Sequence, residues 1–161
     1  MSRRVYEVAR ELGMKGKDLA AKMVHTLSRR SEKPFVAVNC AAIPEELIES
    51  ELFGHEKGAF TGAVSDKAGV FQVADRGTLF IDEVANLSLE IQGKLLRVIQ
   101  EKKIRRVGAL REIPIDVKFI STCNIPPSEA LEKNKIRVDL FYRLAVVVIA
   151  IPPLRQRASD I

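Results

Sequence analysis

Cysteine is scarce in this sequence, and long apolar runs are missing from it. The two cysteines, Cys40 and Cys123, lie in apolar stretches without CxxC spacing and without a nearby histidine. This pattern argues against a disulfide framework or a zinc site and favours buried, reduced thiols. The longest apolar run, 144–151, is far too short to cross a bilayer. Arg3 and Arg4 precede an acid-containing helical pattern rather than an apolar signal core, so we predict a cytoplasmic protein with no membrane segment.

The composition is typical of a soluble globular protein of one domain. Hydrophobic residues make up 47% of the 161 residues and charged residues 29%. The net charge of +5 would permit a nucleic-acid partner, but much of the excess lies in scattered residues or short clusters, such as Lys102, Lys103, Arg105 and Arg106. We interpret these residues as a solvated basic surface rather than a dedicated nucleic-acid site.

Apolar strand patterns alternate with amphipathic helix patterns along the chain. Short apolar runs rich in β-branched or aromatic residues predict strands at 35–38, 79–81, 117–121 and 146–151. Apolar residues at helical spacing predict helices at 5–27 (with a possible break at 13–16), 44–53, 89–100, 128–133 and 138–144. The glycine-rich stretch 54–69 predicts a long loop or a hairpin-like insertion. This order predicts an α/β fold in which a mainly parallel sheet has helices on both faces.

The predicted strand 79–81 ends in two consecutive acids, Asp82 and Glu83. Nucleotide hydrolases present two catalytic carboxylates in this way. In that role Asp82 would hold Mg²⁺, and Glu83 would polarise the water that attacks the γ-phosphate. Ligands of open α/β sheets bind at the carboxyl ends of the strands, which is where these acids would lie. The alternative is a strand end with two solvated acids, and this pattern alone does not decide between the two.

A second segment combines glycines with one aromatic side chain and one hydroxyl. It reads Gly58, Ala59, Phe60, Thr61, Gly62 and Ala63. An aromatic residue exposed on a mobile loop indicates a partner contact, whereas the alternative is that Phe60 packs into the core.

With its flanking ELFGHEKG, this segment closely resembles the GAFTGA loop of the sigma-54-dependent transcriptional activators (bacterial enhancer-binding proteins), a family of AAA+ ATPases. The resemblance implies that Phe60 and Thr61 contact sigma-54 within a partner-binding loop formed by Gly58 to Ala63. It also implies an AAA+ core that binds ATP and Mg²⁺ and forms homo-hexameric rings. Hydrolysis in such rings remodels the closed complex of sigma-54 RNA polymerase.

Further residues take roles from the same resemblance. Asn39 corresponds to the strand asparagine that restrains Glu83 until the γ-phosphate is engaged, and Asn124 to the sensor asparagine near that phosphate. Arg137 and Arg143 correspond to arginine fingers that act on the nucleotide of a neighbouring subunit. From the residues alone, Asn39 could instead cap a turn, and the arginines could belong to a salt-bridged helix surface.

The N-terminal segment departs from the family pattern. Of the Walker A loop, only Gly16, Lys17 and Asp18 correspond to the family's residues, and Glu11 stands where the loop has its first glycine. We therefore predict an atypical helical segment over 1–24, which replaces the Walker A strand and loop. We predict that residues 25–161 form a sigma-54 interaction core without the helical lid and that this chain carries no DNA-binding module.

Three functions follow from these patterns. The first is an ATPase that remodels the sigma-54 polymerase complex. The second is a non-catalytic sigma-54-binding fragment that has lost ATP binding. The third is a translation-associated protein, because residues 1–24 also resemble the N-terminal module of bacterial translation initiation factor two.

Overall fold

The computed structural model describes residues 16–151. In chain order its elements are α1 (Gly16–Thr26), β1 (Phe35–Asn39), α2 (Glu45–Phe53), β2 (Gly54–His55), β3 (Lys67–Ala68), α3 (Val70–Val73), β4 (Thr78–Asp82), a 3-10 turn (Val84–Asn86), α4 (Leu89–Glu101), β5 (Lys103–Arg105), β6 (Glu112–Pro114), β7 (Lys118–Ser121), α5 (Pro127–Glu132) and α6 (Val138–Leu144). No helix within these residues has both the length and the apolar composition needed to cross a membrane.

The main sheet has three parallel strands in the order β1, β4, β7. All five residues of the central strand β4 are buried. Because successive side chains of a strand point to opposite faces, both faces of this sheet are covered. In the register of the sheet Asn39 stands opposite Asp82, so the carboxyl ends of β1 and β4 lie side by side. The α/β fold predicted from the sequence is confirmed.

Helix α4 supplies much of the core. It begins after Ser88, whose hydroxyl accepts the N–H of Ile91, and ends at Lys102, which adopts a left-handed conformation. Its buried residues include Ile91, Leu95 and Val98, at helical spacing. The stripe predicted at 89–100 is therefore buried in the same hydrophobic cluster as Leu79 and Ile81 of β4, and burial of each large aliphatic side chain contributes about 1.5–3 kcal/mol.

Helix α1 joins the same core. Leu19 and Ala21 are buried, and buried His25 forms a hydrogen bond of 2.9 Å between its Nδ1 and Thr78 Oγ1 at the start of β4. The division predicted between residues 24 and 25 falls inside this helix. Residues 1–15 lie outside the described part of the chain, so the division and the helix expected from residue 5 stay predictions.

The stretch 54–69 is the hairpin-like insertion that the sequence predicts. Its ends pair as the short antiparallel strands β2 and β3, with Gly54 opposite Ala68. A Cβ on Gly69 would lie 2.3 Å from the backbone N of Gly54, so the two chain segments pass each other with backbone against backbone. Only glycine allows this approach, and Gly54 also has a φ of 80°.

The strand predicted at 146–151 is wrong. These residues form no strand, and Val146 and Val147 are 81% and 79% exposed. A β-branched run becomes a strand only beside another strand that completes its hydrogen bonds. Within residues 16–151, β7 pairs with β4 on one side only, and no strand joins β7 to this run.

Candidate nucleotide site and partner-binding loop

Lys17, Asp82 and Glu83 meet at the carboxyl end of β4. Lys17 lies in the first turn of α1, and its Nζ is 2.6 Å from Asp82 Oδ1 and 3.4 Å from Glu83 Oε1. Partial burial by itself lowers the pKa of Lys17. The hydrogen bonds and charges of the two acids outweigh this effect and hold that pKa above its ordinary value. One cation is thus shared between two consecutive carboxylates.

Thr122 belongs to this cluster and was not singled out in the sequence. Its hydroxyl donates a short hydrogen bond to Asp82 Oδ1 and accepts the N–H of Glu83 at 3.1 Å. It follows β7 directly, and β7 is the parallel neighbour of β4. A hydroxyl at the end of the neighbouring strand is the signal that could have identified it, because carboxyl ends of parallel strands share one edge of the sheet.

Glu83 sits in a left-handed conformation with φ 61° and ψ 50°. This region is uncommon for residues other than glycine, and such strain clusters at functional sites. Glu83 Oε2 accepts the Nδ2–H of Asn86 at 2.9 Å, while Oε1 faces Lys17. The side chain of Glu83 is therefore held from two sides.

The structure does not form the expected pair between Asn39 and Glu83. Asn39 Oδ1 instead accepts the N–H of Ala41 at 3.0 Å, which is the turn-capping alternative. Asn124 lies beyond β7 and is exposed, without a side-chain hydrogen bond to any residue of 16–151. The roles assigned to Asn39 and Asn124 stay predictions.

The two arginines predicted to act in trans lie on α6. Arg137 caps the start of the helix, and Arg143 lies in its last turn. The guanidinium of Arg137 pairs with both carboxylate oxygens of Asp139 at 3.0 and 2.7 Å. Neither arginine forms an ion pair with Asp82 or Glu83 in the described part of the chain. The trans-acting role of Arg137 and Arg143 stays a prediction.

The predicted partner-binding loop, Gly58 to Ala63, is a closed turn at the end of the hairpin. The N–H of Gly58 donates to the carbonyl of Ala63 at 2.8 Å, and Lys57 N–H donates to Asp66 Oδ1 at 2.7 Å. Phe60 is 38% exposed and packs edge-on against the buried ring of His55, with centroids 5.0 Å apart. The aromatic is therefore held at the surface rather than locked in the core.

The turn between β5 and β6 packs against this loop. Val107 N–H donates to Gly54 O, and Glu56 N–H donates to Val107 O. At Gly108 a Cβ would lie 2.8 Å from the Cβ of Ala59. The sequence did not indicate this hairpin, because its strands have three residues each and half of these residues are charged.

Residues 8–150 match the sequence model of the Sigma-54 interaction domain. This chain belongs to that family. The Nif-specific regulatory protein of Bradyrhizobium diazoefficiens is 53% identical over 146 residues, which is 91% of this chain and 25% of that protein. HyfR of Escherichia coli is also 53% identical, over 91% of this chain and 22% of HyfR. The chain thus spans a quarter or less of the length of these relatives.

Solved structures of NtrX share the fold of this chain. NtrX from Brucella abortus is 38% identical and superimposes with a TM-score of 0.83, covering 90% of this chain and 32% of NtrX. Structures of NtrX with ADP and with ATP give TM-scores of 0.81 each. The resemblance of residues 1–24 to translation initiation factor two is not supported, because the sigma-54 match begins at residue 8 and α1 packs into the core of this fold.

The Sigma-54 interaction domain of this chain presents groups suited to a phosphate and a divalent cation. The N-terminus of α1 and the ammonium of Lys17 suit an anion, and a Cβ on Gly16 would meet nothing within 4 Å. The carboxylate of Asp82 and the hydroxyl of Thr122 are oxygen groups of the kind Mg²⁺ prefers. Asp18, in the first turn of α1, is half-buried. The described residues therefore fit a magnesium nucleotide, while residues 9–15 lie outside them.

Proposed function

We propose that this chain is the nucleotide-hydrolysing core of a bacterial transcriptional activator that remodels the sigma-54 RNA polymerase closed complex. One observation carries the proposal: Lys17 bridges Asp82 and Glu83 at the carboxyl ends of the strands. The same domain carries the Gly58–Ala63 loop at the surface. The complexes of NtrX with ADP and with ATP support nucleotide binding by this fold. The proposed location is the bacterial cytoplasm, where RNA polymerase acts.

We assign the residues of the site as follows. Lys17 holds the terminal phosphates, and Asp82 holds Mg²⁺ with its carboxylate oriented by Thr122. Bound Mg²⁺ neutralises charge on the phosphates. Glu83 accepts a hydrogen bond from the attacking water and orients it toward the γ-phosphate, for which its fixed side-chain direction is suited. Gly16 and Asp18 border the phosphates at the start of α1.

The remaining assignments concern partners. Phe60 and Thr61 contact sigma-54 from the loop surface. Arg137 and Arg143 stabilise charge on the nucleotide of a neighbouring subunit in a homo-hexameric ring. Asn39 and Asn124 report the state of the γ-phosphate, a role that requires Asn39 to exchange its bond with Ala41 for one with Glu83.

Nucleotide binding and hydrolysis test the catalytic half of the proposal. Isothermal titration with MgATP and phosphate release are measured for the wild-type chain, Lys17→Ala and Lys22→Ala. Lys22 is a matched control because it is exposed on the same helix. We expect Lys17→Ala to lose binding at least tenfold, whereas Lys22→Ala keeps it. A wild-type chain that binds no nucleotide would refute the ATPase assignment.

Capture of sigma-54 tests the partner half. Thr61→Ala is expected to lose capture in the presence of MgATP, and Ser65→Ala, exposed in the same insertion, is expected to keep it. Capture that succeeds without nucleotide, in a chain that binds none, would identify a non-catalytic sigma-54-binding fragment instead. Loss of capture by both variants would show that the insertion merely misfolds.

A further inference from the structure

Gln92 is a fully buried amide on an otherwise apolar face of α4. Its exposure is 0%, and the other buried residues of this helix are aliphatic: Ile91, Leu95, Leu96 and Val98. A primary amide in such surroundings costs stability unless protein hydrogen bonds replace those it makes with water. A glutamine therefore occupies this position for the bonds it makes.

The side chain of Gln92 bonds to three backbone groups. Nε2 donates to the carbonyls of Leu87 and Lys135, both at 2.8 Å. Oε1 accepts the N–H of Arg137 at 2.9 Å. Both donors and one acceptor position are used, so the orientation of the amide is determined, because a flipped amide would face two carbonyls with its oxygen.

Two of these bonds fix the segment that carries Arg137. This segment joins α5 to α6, and Lys135 N–H and Ile136 N–H both donate to the carbonyl of Ala130. Arg137 is the capping residue of α6, so the bond from its N–H to Gln92 sets where the helix starts. Because Gln92 holds the backbone N–H of Arg137, it fixes the position from which the Arg137 side chain extends.

The third bond leads to the site on β4. Leu87 closes the 3-10 turn that follows Glu83, and Asn86 in that turn donates to the Glu83 carboxylate. One amide therefore joins the turn that holds Glu83 to the start of the helix that presents Arg137.

We propose that Gln92 is a positioning residue that keeps Arg137 in register with the turn behind Glu83. A change in the hold on Glu83 within one subunit is thereby relayed to the arginine offered to the next subunit. The physical basis is a rigid amide plane with hydrogen bonds to both segments, so that displacement of one moves the other. This inference rests on the proposed function, in which Arg137 acts in trans.

Backbone hydrogen exchange measured by NMR tests the link in the chain as it stands. Gln92→Met keeps the length of the side chain and removes all three bonds. We expect it to accelerate exchange at the Arg137 N–H by about tenfold, which corresponds to the loss of one intramolecular hydrogen bond. Leu95→Met, on the same buried face, is the control and leaves this amide protected. Equal exchange in Gln92→Met and wild type would overturn the proposal.

A second variant covers the case in which Gln92→Met does not fold. Asn86→Ala removes the bond to Glu83 at an exposed position. The relay predicts a change in the Arg137 amide resonance and its exchange rate, while Glu90→Ala, exposed on the first turn of α4, leaves both unchanged. If the resonance and the exchange rate of the Arg137 amide are the same in Asn86→Ala as in wild type, the relay is contradicted.

Mixed assemblies distinguish positioning from general damage. Lys17→Ala subunits retain Gln92 and Arg137 but have an impaired site, whereas Gln92→Met subunits retain the site and misplace Arg137. We expect the mixture to hydrolyse ATP several-fold faster than the sum of the two variants alone. In Gln92→Met alone, kcat should fall with little change in KM.

The outcomes separate the two proposals. Hydrolysis by wild type without rescue in the mixture refutes the role of Gln92 and leaves the proposed function intact. A wild-type chain without hydrolysis refutes the proposed function, and the exchange measurements then decide whether Gln92 still connects the two segments.

Discussion

Lys17 Nζ and Asp82 Oδ1 lie 2.6 Å apart, which joins the first turn of α1 to the last residue of the central strand. Only 7% of the Asp82 side chain is exposed. Besides Lys17, the described contacts of this carboxylate are with Thr122. The ion pair thus supports the fold and the proposed site at once, because a buried carboxylate without its cation is strongly unfavourable.

Removal of this cation is expected to lower stability as well as nucleotide affinity. Lys17→Met should reduce the free energy of unfolding by about 1–3 kcal/mol, since it leaves Asp82 with one polar partner. Urea denaturation measures this change, and Lys22→Met serves as the neutral control. The double variant Lys17→Met/Asp82→Asn should recover part of the loss. If Lys17→Met alone were as stable as wild type, the pair would contribute nothing to folding.

Cys40 is expected to resist alkylation. Burial, followed by the charges of Asp82 and Glu83, raises the pKa of Cys40 to about 12. At pH 8 its thiolate is then scarcer than that of an ordinary cysteine by roughly a thousandfold. Iodoacetamide labelling followed by mass spectrometry should modify half-buried Cys123 first. Labelling of both cysteines at one rate would contradict the described burial.

The same shift makes stability fall in alkaline solution. Because the pKa of Cys40 is raised in the folded chain, the stability contributed by its protonated thiol is complete below the ordinary thiol pKa of about 8.5. It is lost as the pH rises from there toward 12. Cys40→Ala should flatten the alkaline part of the stability curve, as measured by thermal unfolding between these pH values, and Cys123→Ala should not.

Arg30 joins the segments that lead into β4 and β7. It donates to the carbonyls of Gly77 and Asp116 at 2.9 and 2.8 Å and to the carboxylate of Asp116. We expect Arg30→Ala to cost about 1–2 kcal/mol of unfolding free energy at neutral pH, and exposed Arg29→Ala to cost little. Chemical denaturation of the two variants measures the difference, and equal losses would contradict this account.

Part of the Arg30 contribution should depend on pH. Its hydrogen bond, partly offset by desolvation, holds the pKa of Asp116 below its ordinary value. The contribution is therefore present above about pH 4, the ordinary aspartate pKa, and is lost as the pH falls below it. Because 63% of the Asp116 side chain is exposed, solvent screening keeps this part well under about 1 kcal/mol. Asp116→Asn should remove this pH dependence and lose less stability at neutral pH than Arg30→Ala, because the bonds from Arg30 to the two carbonyls remain.

A methyl group added at Gly108 is expected to disturb the partner-binding loop, because Gly108 packs against Ala59 of that loop. Gly108 has a φ of 81°, and a Cβ there would lie 2.8 Å from Ala59 Cβ. Gly108→Ala should therefore lower stability by about 1–2 kcal/mol and reduce capture of sigma-54. Leu110→Ala, exposed in the same turn, is the control, and nucleotide binding should survive in both. Undiminished capture by Gly108→Ala would show that the loop does not depend on this turn.

The local sequence pattern was sufficient to predict the elements whose burial pattern is regular along their length. The strand 79–81 reads as apolar because both of its faces are covered, and the helix 89–100 shows one apolar stripe because one face is buried. The hexapeptide at Gly58 is recognisable because its glycines and its aromatic residue belong to one short segment. These features need no information from distant parts of the chain.

The features that the sequence did not reveal depend on distant partners. The run 146–151 has strand-forming residues, yet a strand needs a neighbour that the run itself does not specify. Thr122 and Gln92 look ordinary in their own segments, and each acquires its role from a group on another element. The side chain of Asn39 accepts a hydrogen bond from nearby Ala41, whereas the family pattern predicts a bond with Glu83.

The close backbone contact between Gly54 and Gly69 marks where the insertion joins the core of the domain. Both ends of the insertion pass this backbone contact, and beyond it the insertion contacts the rest of the domain at the turn between β5 and β6, through Glu56 and Ala59. A different segment could replace the residues between these glycines without repacking the three-stranded sheet, provided that its contact with the turn between β5 and β6 is kept. Any such replacement has to keep glycine at both positions, because a Cβ on either residue would overlap the backbone of the other chain segment.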